Sequence, residues 1–563
     1  MKKTCSNCQS PFEITDDDLT FLESVSPVFG GKKFPIPPPT RCPDCRQQRR
    51  LSLCNERNFY PAKCGLCGQS ALTEHPTHKN KTVYCRDCWH SDKWDPREYG
   101  MEMDFSRPFF EQFKELRSRV PAQNLLSAGT VVNSDYIHYA GFAKNCYLIM
   151  HADYCEDSMY GYGFKKTISC FDGFYNLQCE LCYEGVDLKE CYGLTGCQDC
   201  INCRSGAFLR DCIGCQDCFL CIGLRNKKYC FDNEQLSKDD YLKKMQSIHL
   251  KSRAQYDRYK AELKKLEEKH TFKEYQGHNL ENSSGDHLIN CKDVRNSFDC
   301  EDIEHGKFCY QVVTGGKDIY DIYQYGLNLQ QSYECAIAGN DSYNIRFSHN
   351  IHVSCTDLFY CWYMQSSKSC FGCCNMHHKE YCILNKQYTK AEYEKLVPQI
   401  IEHMKKSGEW GEMFPTTVSP FGYNKTTASM YYPMKREDVL AHGWEWDDHE
   451  PPPPSVTKII DGGKLPDSLD DIPDDVLNWA IRCEVTGKLF KIQPLELKLY
   501  RQIGLPLPRR SPDQRHMDRF MLRNPKRFWK RTCGKCGKEI TTTWDPKRPE
   551  KVYCEECYKK EVY

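Results

Sequence analysis

The residues of this chain best spaced for chemistry are cysteines in Cys-x-x-Cys pairs, and the chemistry they suit is thiolate coordination of a metal. Cys64-Gly65-Leu66-Cys67 is followed, 17 residues on, by Cys85-Arg86-Asp87-Cys88. Cys533-Gly534-Lys535-Cys536 and Cys554-Glu555-Glu556-Cys557 repeat the arrangement with the same separation. Two residues between cysteines let one tight turn aim both sulfurs at one ion, and a hairpin between pairs closes a tetrahedron. Gly68 and Gly537, directly after the second cysteine, suit that turn. A third set, Cys5, Cys8, Cys42 and Cys45, has a longer loop containing Gly30, Gly31 and a proline-rich stretch. The twelve cysteines predict three Zn2+ ions per chain. Four-thiolate sites have no open coordination position for water, and no P-loop, dinucleotide fingerprint or Ser-His-Asp spacing accompanies them. The histidines, His377-His378 included, show no metal-ligand pattern. The expectation is a zinc-binding protein that is not an enzyme.

The C-terminal set is a copy of the N-terminal one. At an offset of 469, residues 37–88 and 506–557 are identical at 19 of 52 positions, among them Arg41/Arg510, Arg46/Arg515, Arg50/Arg519 and Phe59/Phe528. Cys5 corresponds to Cys483, but Cys8, Cys42 and Cys45 become Thr486, Ser511 and Gln514. The C-terminal copy keeps one metal set and has lost the other. Cys483 and Cys54 are expected to be buried small residues, not ligands.

Between these modules the cysteines follow another rule. Fourteen fall within residues 146–230, every interval being a multiple of three. Cys170, Cys191 and Cys212 form a 21-residue series, as do Cys179, Cys200 and Cys221; Cys182 and Cys203 follow the same spacing. A fixed period near 20 residues marks stacked coils. The pattern recurs: Asn145-Cys146 corresponds to Asn290-Cys291, and Cys218, Cys221 and Cys230 to Cys370, Cys373 and Cys382, with about seven residues inserted in the second copy. Cysteine fits the narrow interior of a β-coil, flanked by ladders of Ser, Asn and Asp, in preference to a metal- or redox-loaded thiol array. Ser237 and Thr389 are placed to cap a helix after each copy. Tyr256, Tyr259, Leu263 and Leu266 lie at helical spacing on a segment expected to pack on the coil.

Charge narrows the partners. Lys+Arg and Asp+Glu both number 77, so only the distribution is informative. Residues 445–475 hold ten acidic residues, two lysines and a proline run at 451–454, the composition of a semi-rigid linker. Twelve Lys or Arg lie between residues 501 and 538, with Phe528 and Trp529 among them. Arg46, Arg50, Arg510, Arg515, Arg519, Arg523 and Arg527 are the candidate nucleic-acid contacts, holding RNA or DNA phosphates while zinc knuckles fix their orientation. The same residues also fit a solvated basic face or pairing with the acidic segment. A protein partner on the coil's faces is the alternative, and a carbohydrate-active β-helix enzyme the remote one. No apolar stretch approaches the roughly 20 residues of a membrane span. Met1-Lys2-Lys3-Thr4-Cys5 shows no signal region, and 38 cysteines, several of them in metal-type spacing, point to the reducing cytoplasm.

The fold class is thus multidomain and mainly β: zinc-ribbon or treble-clef-like modules at both ends flank a duplicated cysteine-rich β-solenoid, right-handed β-helix-like, with capping helices. The expected divisions are the first zinc site 1–50, second module 51–100, connector 101–132, solenoid copies 133–235 and 278–386 about a helical segment 236–277, helix and irregular chain 387–444, linker 445–475 and C-terminal module 476–563. Pro39-Thr40-Arg41-Cys42-Pro43-Asp44-Cys45-Arg46, Ser91-Asp92-Lys93-Trp94-Asp95-Pro96, Ser419-Pro420-Phe421-Gly422-Tyr423-Asn424 and Pro512-Asp513-Gln514-Arg515-His516 carry a resemblance. The chain resembles, over essentially its full length, a family of cysteine-rich zinc-ribbon proteins of candidate-phyla-radiation bacteria. The resemblance implies bound zinc and brings no activity with it.

Overall fold

A computed structural model of the chain describes residues 1–563 apart from 164–166, 176–182, 187–192, 451 and 563. Cys179, Cys182 and Cys191 of the central run, and the first proline of the 451–454 run, lie outside the described residues. The fold is mainly β, a long coil of short strands with a few helices and three cysteine clusters. The chain divides into two compact units, residues 1–124 with 275–449 and residues 125–274 with 450–563. Each unit joins a terminal module to the coil copy farther from it in sequence.

The coil is built in steps of three. In the first copy φ is positive at Tyr136, Tyr139, Phe142, Asn145, Leu148, His151, Tyr154 and Asp157, between +49° and +58°. The residue after each corner points inward: Ile137, Ala140, Ala143, Cys146, Ile149, Ala152 and Cys155 are all buried. Successive strands pair in parallel twelve residues apart, Asp135 beside Tyr147 and Ala207 beside Phe219, so each turn has four corners. Left-handed backbone costs an L-residue roughly 1–2 kcal/mol. Asn and Asp tolerate it best, and here they also bond along the axis. Asn133 Nδ2 donates to Asn145 Oδ1 and Asn145 Nδ2 to Asp157 Oδ1, both at 2.8 Å. The second copy has the same ladder, Asn279 to Asn290 to Asp302, each bond 2.9 Å.

So tight a turn leaves room only for small or slender side chains, and the described coil cysteines other than Cys374 lie in two cores with Ile, Leu, Val, Ala and Met. Their thiols also donate into the tube's carbonyls: Cys146 Sγ lies 3.3 Å from Lys144 O and from Cys155 O, and Cys300 Sγ 3.4 Å from Cys309 O. A small apolar group with one weak donor is what that interior accepts.

The 21-residue period is therefore not the turn of the coil. Inward positions recur every three residues, so cysteines fall into series at any multiple of three, and 21 is one such multiple. The true turn is twelve residues in the first copy. In the second it lengthens to thirteen, with Ile303 beside Gly316, Gln330 beside Tyr343 and Tyr343 beside Thr356, before returning to twelve. The extra residues of the second copy are thus spread, in part, as one per turn.

Each copy ends in an antiparallel strand that turns back on the last rung, Glu234–Gln235 on Cys230–Phe231 and Lys386–Gln387 on Glu380–Ile383. Helices Lys238–Met245 and Lys390–Lys406 follow, capped by Ser237 and Thr389 as their positions predict. The Arg253–Lys269 helix buries Tyr256, Tyr259 and Leu263 against coil strands Gly206–Arg210 and Phe219–Ile222. The acidic segment 445–475 is not a linker along its length. Asp447 is buried and accepts a 2.9 Å bond from the Tyr60 hydroxyl, while Leu465, Leu469 and Ile472 join the core around Tyr256. Lys458–Asp461 pairs in parallel with Trp479–Arg482. Aspartates dominate the composition there, but single Leu and Ile residues at tight turns set the packing.

Candidate metal centres

Each metal set has the same two parts, a hairpin knuckle and a helix N-terminus. Strands Lys2–Thr4 and Pro11–Glu13 carry Cys5 and Cys8 at their turn, and Cys42 and Cys45 open the Pro43–Leu51 helix. Tyr60–Lys63 and Ser70–Thr73 present Cys64 and Cys67 to Cys85 and Cys88 at the Arg86–Trp89 turn of helix. Trp529–Thr532 and Glu539–Thr542 present Cys533 and Cys536 to Cys554 and to Cys557 on the Glu555–Val562 helix. The knuckle turns through left-handed backbone at Gly68 and Gly537, and at Gln9 in the first set.

In all three sets the four sulfurs lie within 4.8 Å of one another. Cys8–Cys42 is 3.7 Å, and Cys67–Cys85 and Cys536–Cys554 are 3.8 Å. A tetrahedron with zinc–sulfur bonds of about 2.3 Å has edges of about 3.8 Å. The donor set thus fits a thiophilic cation. The backbone supports the charge: the amide of Cys42 points at Cys5 Sγ, that of Cys85 at Cys64 Sγ and that of Cys554 at Cys533 Sγ, each at 3.3 Å. Burial pushes the Cys5 thiol up, but the amides of Cys8, Cys42 and Asn7 outweigh it and bring it down to about 6. Burial pushes Cys64 and Cys533 up likewise, but knuckle amides together with those of Cys85 and Cys554 bring them down to about 6. Cys88 and Cys557 are pushed up to about 12, by burial and then by neighbouring sulfurs. Four thiols this close cannot all ionise unaided, and a cation at their centre removes that obstacle. When bound it would cross-link hairpin to helix.

The counterpart of the first set, in the C-terminal copy, keeps the scaffold without the ligands. Cys483 is buried at the turn between Trp479–Arg482 and Leu489–Phe490, and Ser511 caps the Pro512–Leu522 helix by accepting from the Gln514 amide. Cys54 is buried too, its sulfur 3.4 Å from His349 Nε2.

The candidate nucleic-acid contacts go elsewhere than expected. Arg46 and Arg50 are buried and share Asp321, Arg46 at 2.8 Å from Oδ2 and Arg50 at 3.0 Å from Oδ1. Arg50 also meets Glu334 at 2.7 Å, as does Arg49, which reaches Glu412 at 2.6 Å. Arg515 and Arg519, also buried, share Asp172 in the same way, and Arg515 pairs with Glu496 at 3.0 Å. These four arginines bind the coil's carboxylates, so phosphates do not reach them in the folded protein. Arg510 is partly exposed and bridges Glu484 and Asp518 at 2.8 and 2.9 Å. Arg523 lies over the rings of Phe174 and Tyr175, and Arg527 is exposed, 5.9 Å from the Trp529 ring.

Sequence reading missed the acidic partners. Asp172 and Asp321 follow an inward residue and an aromatic, Cys170-Phe171 and Ile319-Tyr320, and both sit at left-handed corners. That duplicated aspartate, matched to a duplicated arginine pair, was the available signal.

No helix among the described residues is long and apolar enough to cross a membrane. No family model matches the chain, and no curated protein does. Among solved structures, a putative acetyltransferase from Desulfovibrio desulfuricans G20 aligns over 43% of this chain and 64% of its own length. At 8% identity and a TM-score of 0.10, that likeness carries no argument about fold or activity.

Proposed function

We propose that the protein is a non-catalytic binding scaffold of the cytoplasm, in which zinc fastens the modules and the duplicated coil presents the partner surface. The observation that carries this reading is the burial of Arg46, Arg50, Arg515 and Arg519 against coil carboxylates. The basic helices of the modules are thereby committed to docking each module on the coil copy of its own unit. The coil keeps open rings for a partner: Phe142 and Tyr154 are 44% and 56% exposed and stack in parallel at 4.5 Å. Paired exposed aromatics give large contact area at little entropic cost. All-sulfur sets suit zinc, whose closed tetrahedra are structural and leave no position for substrate. The many free thiols of the coil suit a reducing compartment.

Nucleic-acid binding is the second reading, favoured only by Arg523 and Arg527 beside Phe174, Tyr175 and Trp529. Filter binding with single-stranded RNA and DNA decides between them. The scaffold reading expects weak binding, unaffected by Arg523→Ala with Arg527→Ala. Tight, salt-dependent binding lost in that variant would overturn it. Metal analysis of the purified chain should separately find three zinc ions; a total near two would leave the Cys5 set empty.

A further inference from the structure

The Pro43–Leu51 helix carries two functions within three turns. Cys42 precedes it and Cys45 lies in its first turn, supplying half of the first metal set. Arg46, Arg49 and Arg50 follow, buried in ion pairs with Asp321, Glu334 and Glu412. The helix has no side-chain cap at Cys42. Sulfur meets its start: the Cys42 amide points at Cys5 Sγ and Asn7 Nδ2 at Cys45 Sγ, both at 3.3 Å. The equivalent helix, Pro512–Leu522, docks Arg515 and Arg519 on Asp172 in the same way. Its start is fixed by the Ser511 hydroxyl, with Cys483 the single sulfur at the matching knuckle.

We propose that the Cys5, Cys8, Cys42 and Cys45 centre is a metal-dependent latch, by which a thiophilic divalent cation controls docking of the first module on the second coil copy. The Pro512–Leu522 helix is the same latch made permanent by replacing the metal ligands with a hydroxyl cap. Losing the ion unties the Pro43–Leu51 helix, which has no side-chain cap, from the Cys5–Cys8 knuckle. Three guanidiniums beside it must then keep their registry with buried carboxylates unaided. Such pairs tolerate little displacement, because a separated partner becomes an unpaired buried charge. The metal therefore decides whether Asp321 and Glu334 stay covered. This rests on an ion filling the first set, which the metal count reads independently of docking.

Hydrogen exchange on the full-length chain tests it. Cys5→Ser with Cys8→Ser should lower the metal content from three ions to two. Amides of the Pro43–Leu51 helix should then exchange roughly 100-fold faster, while those of Pro512–Leu522 keep their native rate as the internal control for folding. A second variant copies the metal-free residues into the first module: Cys8→Thr, Cys42→Ser and Cys45→Gln. It should also hold two ions, yet exchange slowly across residues 43–51. Native exchange there in the double variant would overturn the latch, as would fast exchange in the triple variant.

Discussion

At Asp172 one carboxylate meets two guanidiniums, Arg515 and Arg519, with all three side chains buried. Neutralising it removes the carboxylate the two share and leaves Arg515 to Glu496, in a medium that solvates cations poorly. Asp172→Asn is expected to destabilise the second unit by about 3–5 kcal/mol. A lower urea midpoint for that unit, followed by exchange of the Pro512–Leu522 amides, checks it. The ligand cysteines were legible in the sequence because coordination fixes their spacing locally, within one knuckle and one turn of helix. The arginines were legible as a helical face but not in what faces it. Arg515 and Arg519 at i, i+4 look the same whether they meet water, phosphate or Asp172, which lies over 300 residues away.

The coil element depends on its corners as much as on its core. Asn145 bonds to Asn133 on one side and Asp157 on the other while holding φ at +53°. Asn145→Ala loses both bonds and replaces a residue that tolerates left-handed backbone with one that does not, at a cost of about 2 kcal/mol. Asn145→Gly should recover about half of that by removing the strain alone. The difference between the two melting curves separates backbone from ladder. The step of three was written in the cysteine intervals, since each inward residue is chosen by the same narrow space. The turn length was not, because inward positions on every side of the coil accept the same small residues. Only the pairing of Asp135 with Tyr147 and of Ala207 with Phe219 shows that four steps make one turn.

At the scale of the whole molecule, the duplication was visible as offsets in the sequence, but the way its halves combine was not. The first module belongs with residues 275–449, and the last with residues 125–274. Composition could not reveal this, because the contacts that decide it are a few charged pairs between distant segments, Arg50 with Asp321 and Arg519 with Asp172. A chain ending at residue 274 contains one module and one coil that belong to different units. It should therefore be recovered mostly as aggregate, whereas the full chain remains in the supernatant after the same centrifugation.

That crossed pairing also sets a timetable for birth on the ribosome. The knuckles at Cys5 and Cys64 can load their ions once residue 88 has emerged, yet the carboxylates that will receive the arginines of the Pro43–Leu51 helix are translated some 270 residues later. The first coil in turn waits for Arg515 and Arg519. Neither half can be finished before most of the polypeptide has left the exit tunnel, so a prematurely released product is incomplete in both halves.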